Sequence, residues 1–190
     1  LRLLEIKLSD QINVGDGIRS ILDTFSEMIN QKMINIKFTD KRIADKPVWS
    51  DKILFELVFS NMISNALKYI EEAGTVEIIL DDTNEEFIIE ISDNGIGIPQ
   101  TEINKIFEQF YRASNINKSL HEGGGMGLAI VKEIIVRLGG EITVTSPSRL
   151  ASEGHPGTTF HVSIPYHHKV SENDIFVVND EDYLENKNNL

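Results

Sequence analysis

The chain has 190 residues and carries 18 Lys plus Arg against 30 Asp plus Glu, a formal net charge of −12. That length fits one domain with a short attachment, and the acidic balance excludes a general basic footprint for nucleic acid and a polybasic membrane-surface patch. With no Cys, disulfides, iron–sulfur clusters and thiolate zinc sites are excluded as well.

No apolar run approaches the ~20 residues of a membrane-spanning helix. Leu1 opens the chain in place of Met, and nothing there resembles a signal peptide. The expectation is a cytoplasmic piece of something longer, with no direct membrane contact of its own.

Leu1, Leu4 and Leu8 fall on one helical face, so residues 1–10 read as the last turns of a helix. Residues 18–33 show helical spacing at Ile18, Ile21, Leu22, Phe25 and Ile29, and residues 34–38 alternate as a strand. Asp51 is placed to cap a helix over 52–70. Residues 75–82 and 86–93 read as two strands joined by a turn at Thr83 and Asn84. A short helix is expected at 100–107, then an aperiodic, Gly-rich loop over 111–125. Residues 127–138 predict a strong helix ended by Gly139 and Gly140, followed by strands at 141–146 and 158–165.

Strands joined mostly as hairpins with helices between them imply a mixed sheet with helices on one face. Residues 166–190 hold six acidic and two basic residues, and without them the chain carries −8. They read as an extension outside the core. The segment 175–182 also resembles the first strand and acidic corner of a receiver domain, with Asn179 where the first Asp would stand.

Three segments carry chemistry. Along 52–70, Glu56, Ser60, Asn61, Ser64, Asn65 and Lys68 fall within half a turn at 100° per residue. Their bland reading is a solvated face, but Asn is a poor mid-helix residue and two at i, i+4 need a reason. An amide oxygen can hold a Mg²⁺ that takes the rest of its shell from water and phosphate. A lysine one turn on can meet a phosphate.

The second segment, DNGIGIP at 93–99, follows a strand. An Asp held there can accept from an exocyclic amine, which adenine presents and guanine replaces with a carbonyl oxygen. Mismatching such a site strands a buried polar group at ~1–3 kcal/mol. The same residues also suit an ordinary turn. The third, GGGMGL at 123–128, runs straight into a helix, whose first amides cradle phosphate. A flexible hinge is its alternative reading. It is neither a Walker A loop nor a dinucleotide fingerprint.

The order is specific. NMISNALKY at 61–69, DNGIGIP, IFEQFYR at 106–112, GGGMGL and GTTF at 157–160 resemble the N, Gly and F boxes of the ATP-binding catalytic domain of sensor histidine kinases. That family shares a superfamily with gyrase-type and mismatch-repair ATPases. The likeness covers roughly 10–165.

The resemblance implies a two-layer α/β sandwich, a mixed and mostly antiparallel sheet with three main helices, and ATP and Mg²⁺ as ligands. By motif position Asp93 would bind the adenine amine, with Gly95, Gly97, Ile98 and Thr158 shaping its pocket and Tyr69 flanking the nucleotide. Asn65 would ligate Mg²⁺, and Asn61 would support the metal–phosphate end. Lys68 and Arg112 would meet phosphates. Gly123, Gly125, Met126, Gly127 and Leu128 would hold the phosphates under a lid at about 108–124.

Asn61 bears on the reaction. ATPase branches of the superfamily place a Glu general base four residues before the metal-binding Asn, because water must lose a proton as it attacks. An amide suits a neutral imidazole, already a nucleophile near pH 7. None of the five histidines fits the family's phosphoacceptor; His121-Glu122 is followed by three glycines.

The domain plan is therefore 1–10 as the end of an upstream dimerisation and phosphoacceptor hairpin, 11–165 as the kinase domain and 166–190 as a linker. Its partners would be that hairpin and a response regulator receiver domain. The piece itself would be monomeric and its parent a homodimer. Residues 147–156 exceed the usual link before the last Gly box and read as a surface insertion. A superfamily ATPase and a non-catalytic docking module are the competing readings.

Overall fold

The computed structural model describes residues 2–5, 10–42, 46, 48–116, 124–166 and 175–178. Its centre is a five-stranded sheet in the order β3-β5-β6-β8-β7. The strands are β3 (Asn35–Asp40), β5 (Thr75–Asp82), β6 (Glu86–Asp93), β7 (Glu141–Thr145) and β8 (Thr159–Pro165). Only β3 and β5 run parallel; the other three pairings are antiparallel. The mixed, mostly antiparallel sheet expected from the sequence is the one observed.

Alternation explains the sheet. Val76, Ile78 and Leu80 on β5 and Phe87, Ile89 and Ile91 on β6 point to one face and are buried. Helix α3 (Lys52–Lys68) meets them with Leu54, Phe55, Val58, Phe59, Met62, Ile63, Ala66 and Leu67, a stripe repeating every fourth residue. Phe59 sits edge-on to Phe87 with ring centroids 6.4 Å apart. Helix α4 (Gly127–Arg137) adds Val131, Ile134 and Ile135. Each such side chain contributes about 1.5–3 kcal/mol of burial.

Capping sets the ends of α3. The Asp51 carboxylate accepts from the amides of Ile53 and Leu54, as its position predicts. At the other end Lys32 Nζ donates to the carbonyls of Leu67, Lys68 and Ile70 at 2.9–3.0 Å. These carbonyls lack helical partners, and the ammonium also opposes the negative end of the helix dipole.

Several boundaries differ from the sequence reading. The helix expected at 18–33 is two, α1 (Val14–Thr24) and α2 (Ser26–Gln31). Asn13 caps the first, accepting from the Asp16 amide, and Phe25 breaks the run by turning into the core. The helix expected at 100–107 is a single 3-10 turn at Ile103–Lys105. Its flanks continue in i to i−3 bonds, Glu102 to Pro99 and Glu108 to Lys105, that never widen to an α-helix.

The N-terminal residues are not helical where they are described. β1 (Arg2–Glu5) pairs antiparallel with β9 (Ile175–Val178), and β2 (Asp10–Ile12) pairs with β4 (Val48–Ser50). Both pairings join distant segments, which periodicity does not register. Tyr166 is buried, so the core runs one residue past the expected boundary.

Candidate functional site

β6 ends at Asp93, where its alternation stops. Ile91, Ser92 and Asp93 are all buried, so both faces of the sheet are covered there. The Asp93 backbone joins the sheet through its amide to the Thr158 carbonyl at 2.8 Å. Asp93 is 4% exposed. Oδ1 accepts from the Gly95 amide at 2.8 Å and the Thr158 amide at 3.2 Å. No described residue donates to Oδ2. Burial pushes the carboxyl up to about 6, with the two amide donors opposing.

The glycines around Asp93 are matters of space. A Cβ at Gly95 would run into the Tyr69 carbonyl, and one at Gly157 into the Asp93 carbonyl. Gly157 also sits at φ +64°, a left-handed conformation that Gly alone adopts at no cost. The Ile96 amide donates to that Tyr69 carbonyl at 3.1 Å, which ties the 93–99 loop to the end of α3. Gly97 is buried, and Ile98 packs on the core. Thr158 is buried beside Asp93.

On α3 the two asparagines differ. Asn61 Nδ2 donates to the Leu57 carbonyl at 2.7 Å, and a Cβ placed on Gly127 would stand 2.5 Å from its Oδ1. Asn61 therefore braces α3 against the start of α4, and Gly127 is the residue that allows the approach. The half-buried Asn65 carboxamide makes no hydrogen bond with a described residue. Tyr69 caps α3 and is raised by burial, and the Arg112 guanidinium is close enough to oppose that shift. Lys68 is half-buried in the last turn of α3.

α4 begins without a side-chain cap. Met126 supplies none, and Ile130 to Met126 is the first helical bond, at 3.0 Å. The amides before it, from Gly127 and Leu128 onward, form an anion-accepting terminus. Gly125 at φ +76° accepts from the Phe110 amide at 3.0 Å, joining the glycine segment before α4 to the 106–112 motif. Lys132 of α4 lies over the Phe107 ring at 5.1 Å. Phe107 is thus an anchor rather than a stacking platform. Gly123, Lys118, His121 and Glu122 lie outside the described residues.

The structure thus gathers Asn61, Asn65, Lys68 and Tyr69, Asp93 with its loop, and Arg112 with the start of α4 around one region. Sequence reasoning missed the polar staples behind it. Ser146 Oγ accepts from the Ile98 amide at 3.0 Å and donates to the Gly157 carbonyl at 2.7 Å. Ser148 Oγ donates to the Asp93 carbonyl at 2.7 Å. Asn115 Nδ2 donates to the Gly97 carbonyl at 2.9 Å. Glu102 accepts from Tyr111, from the Ser114 amide and from the Ser114 hydroxyl, tying residues 111–114 to the turns after Pro99. Serines flanking a proline at a strand end read as a turn; only their burial marks them.

Residues 50–168 match the family described as histidine kinase-, DNA gyrase B-, and HSP90-like ATPase. The sensor histidine kinase WalK of Bacillus subtilis (strain 168) is 38% identical over 148 residues, 77% of this chain and 23% of that relative. The chain thus spans less than a quarter of that relative's length. The mycobacterial sensor histidine kinase MprB superposes with TM-score 0.69 at 26% identity, over 82% of this chain and 97% of that one. The histidine kinase ThkA, solved in complex with the response regulator protein TrrA, has the same fold with TM-score 0.65 at 24% identity, over 83% and 42%.

Proposed function

The chain belongs to the histidine kinase-, DNA gyrase B-, and HSP90-like ATPase family, and from that premise we propose that it is the ATP-binding, phosphoryl-donating domain of a sensor histidine kinase. The observation that carries this reading is Asp93, a buried carboxylate with one oxygen held by two backbone amides and the other open to a ligand. Oδ2 accepts the adenine amine. Guanine would bring a carbonyl oxygen to the same place and be repelled.

The triphosphate runs from that loop toward the start of α4. The amides of Gly127 and Leu128 bind its oxygens, with Gly125 and Met126 leading into that turn. Lys68 and Arg112 neutralise its charge. The residues fit a Mg²⁺: the Asn65 carboxamide is an oxygen donor that spends none of its hydrogen bonds on described residues, and phosphates and water complete such a shell. When bound, the ion withdraws charge from the phosphates. Asn65 holds it, and Asn61 keeps Asn65 and the start of α4 in register.

Asn61 has no lone pair of useful basicity, so it suits an attacking group that needs no deprotonation better than water or a hydroxyl. A neutral imidazole meets that condition. Its nitrogen forms the new bond to the γ-phosphorus while the bond to the ADP oxygen breaks. Of the described histidines, His161 lies in β8 and His155 in the turn bridged to Ser152, so the acceptor is placed on a hairpin supplied from elsewhere in the parent. We place residues 11–165 as the kinase domain, closed by the buried Tyr166, with a linker beyond it. A response regulator receiver domain then takes the phosphoryl group, as the pairing of ThkA with TrrA suggests by analogy.

The test is a calorimetric titration with a non-hydrolysable ATP analogue with and without Mg²⁺, followed by labelled ATP with and without an added acceptor hairpin. Mg²⁺-dependent binding and label transfer only with the hairpin are expected. Fast phosphate release by the chain alone would instead mark an ATPase.

A further inference from the structure

We infer that Arg149 is a positioning residue for the Asp93 carboxylate, acting through the 147–156 loop as a strap across the open face of the sheet; this rests on the adenine reading above. The loop joins β7 to β8 at one edge of the sheet. Yet Arg149 Nε donates to Glu90 at 2.8 Å and its Nη1 donates to Glu77. Glu90 is on β6 and Glu77 on β5, so a residue of the β7–β8 loop pairs with two inner strands. These two carboxylates share the face away from the helices, and the guanidinium bridges them.

The covered ground lies directly behind Asp93. Alternation places Ser92 on the open face, but it is fully buried, with its hydroxyl 2.9 Å from that of Thr159. The residue before Arg149 is Ser148, whose hydroxyl reaches the Asp93 carbonyl and accepts from the Leu150 amide at 3.1 Å. The loop closes on itself through Ser148 to Pro156 and through the Ser152–His155 bridge. It then delivers Gly157, whose amide donates to the Gly95 carbonyl at 2.9 Å, and Thr158, whose amide holds Oδ1. Both ends of the strap therefore bear on Asp93. The segment is the surface insertion that its length suggests, mostly exposed, and through its buried Ser148 it also supports the carboxylate. Arg149 itself touches no ligand.

The experiment compares unmutated chain, R149A and R149K in titrations with an ATP analogue and with the triphosphate of purine riboside, which lacks the exocyclic amine. Partly exposed ion pairs are worth little each, so R149A is expected to weaken the ATP analogue roughly threefold and to leave the amine-free nucleotide unchanged, with R149K between. Loss for both nucleotides alike, or for neither, overturns the positioning role while leaving the adenine reading intact. Equal affinity of the unmutated chain for both nucleotides overturns the adenine reading, and this inference with it.

Discussion

Asp93 holds its two oxygens in different circumstances, and its chemistry follows from that. Because Oδ1 already accepts two amides, a proton on the carboxyl goes to Oδ2 and turns it from acceptor to donor, facing another donor on adenine. With the carboxyl raised to about 6, adenosine affinity should be flat above pH 7 and fall about tenfold per unit well below 6. Adenosine is the probe because it has no phosphate to titrate in that window. D93N keeps Oδ1 as acceptor but presents an NH₂ group to the amine, and should weaken ATP roughly 10- to 100-fold. The sign for stability is opposite. The folded state binds this proton more tightly than the unfolded chain, so the group's cost is absent below about pH 4, grows as pH rises through 4 to 6, and is complete above that. D93N should therefore stabilise the nucleotide-free chain at pH 8, by on the order of 3 kcal/mol at most, and by less at pH 5, with a raised melting temperature as the readout. A melting temperature lowered by D93N at pH 8 would contradict the burial cost.

At the scale of the element, α3 is held by unlike caps. Asp51 is legible because it directly precedes the helix it caps. Lys32 is not, since it lies 35 residues before the first carbonyl it holds. Burial lowers its ammonium pKa, and K32M would leave three carbonyls without that donor. It should cost about 1–3 kcal/mol in denaturant unfolding, with K32R recovering part. The α3–α4 contact makes a sharper test. Gly to Ala inside a helix ordinarily gains ~1 kcal/mol, but a Cβ at Gly127 would press on Asn61 Oδ1. G127A should therefore destabilise. N61A/G127A should recover more than the two single changes predict, a coupling that a double-mutant cycle reads directly.

For the whole molecule, ligand binding should report on folding. At 100 times Kd a nucleotide that binds only the folded chain adds ~2.7 kcal/mol, a rise of several degrees in melting temperature. At the same nucleotide concentration D93N should cut that gain to about 0.4–1.4 kcal/mol, with a proportionately smaller rise. The residues that name this site were readable in order along the chain, because each box is local: a strand end with its Asp, a glycine turn, a polar helix face. So was the sheet, since two-residue alternation on Val76 to Leu80 and Phe87 to Ile91 is a property of consecutive residues. What tertiary structure alone decided is how the boxes are fastened. Ser146, Ser148, Lys32 and Arg149 each act on backbone or carboxylate groups contributed by distant segments, and a polar residue at a turn looks the same whether solvated or buried against such a partner. The pairing of β1 with β9 has the same cause. Local spacing determines which elements form and which chemistry they carry; the meeting of remote donors and acceptors, which spacing does not encode, determines where the chemistry is held.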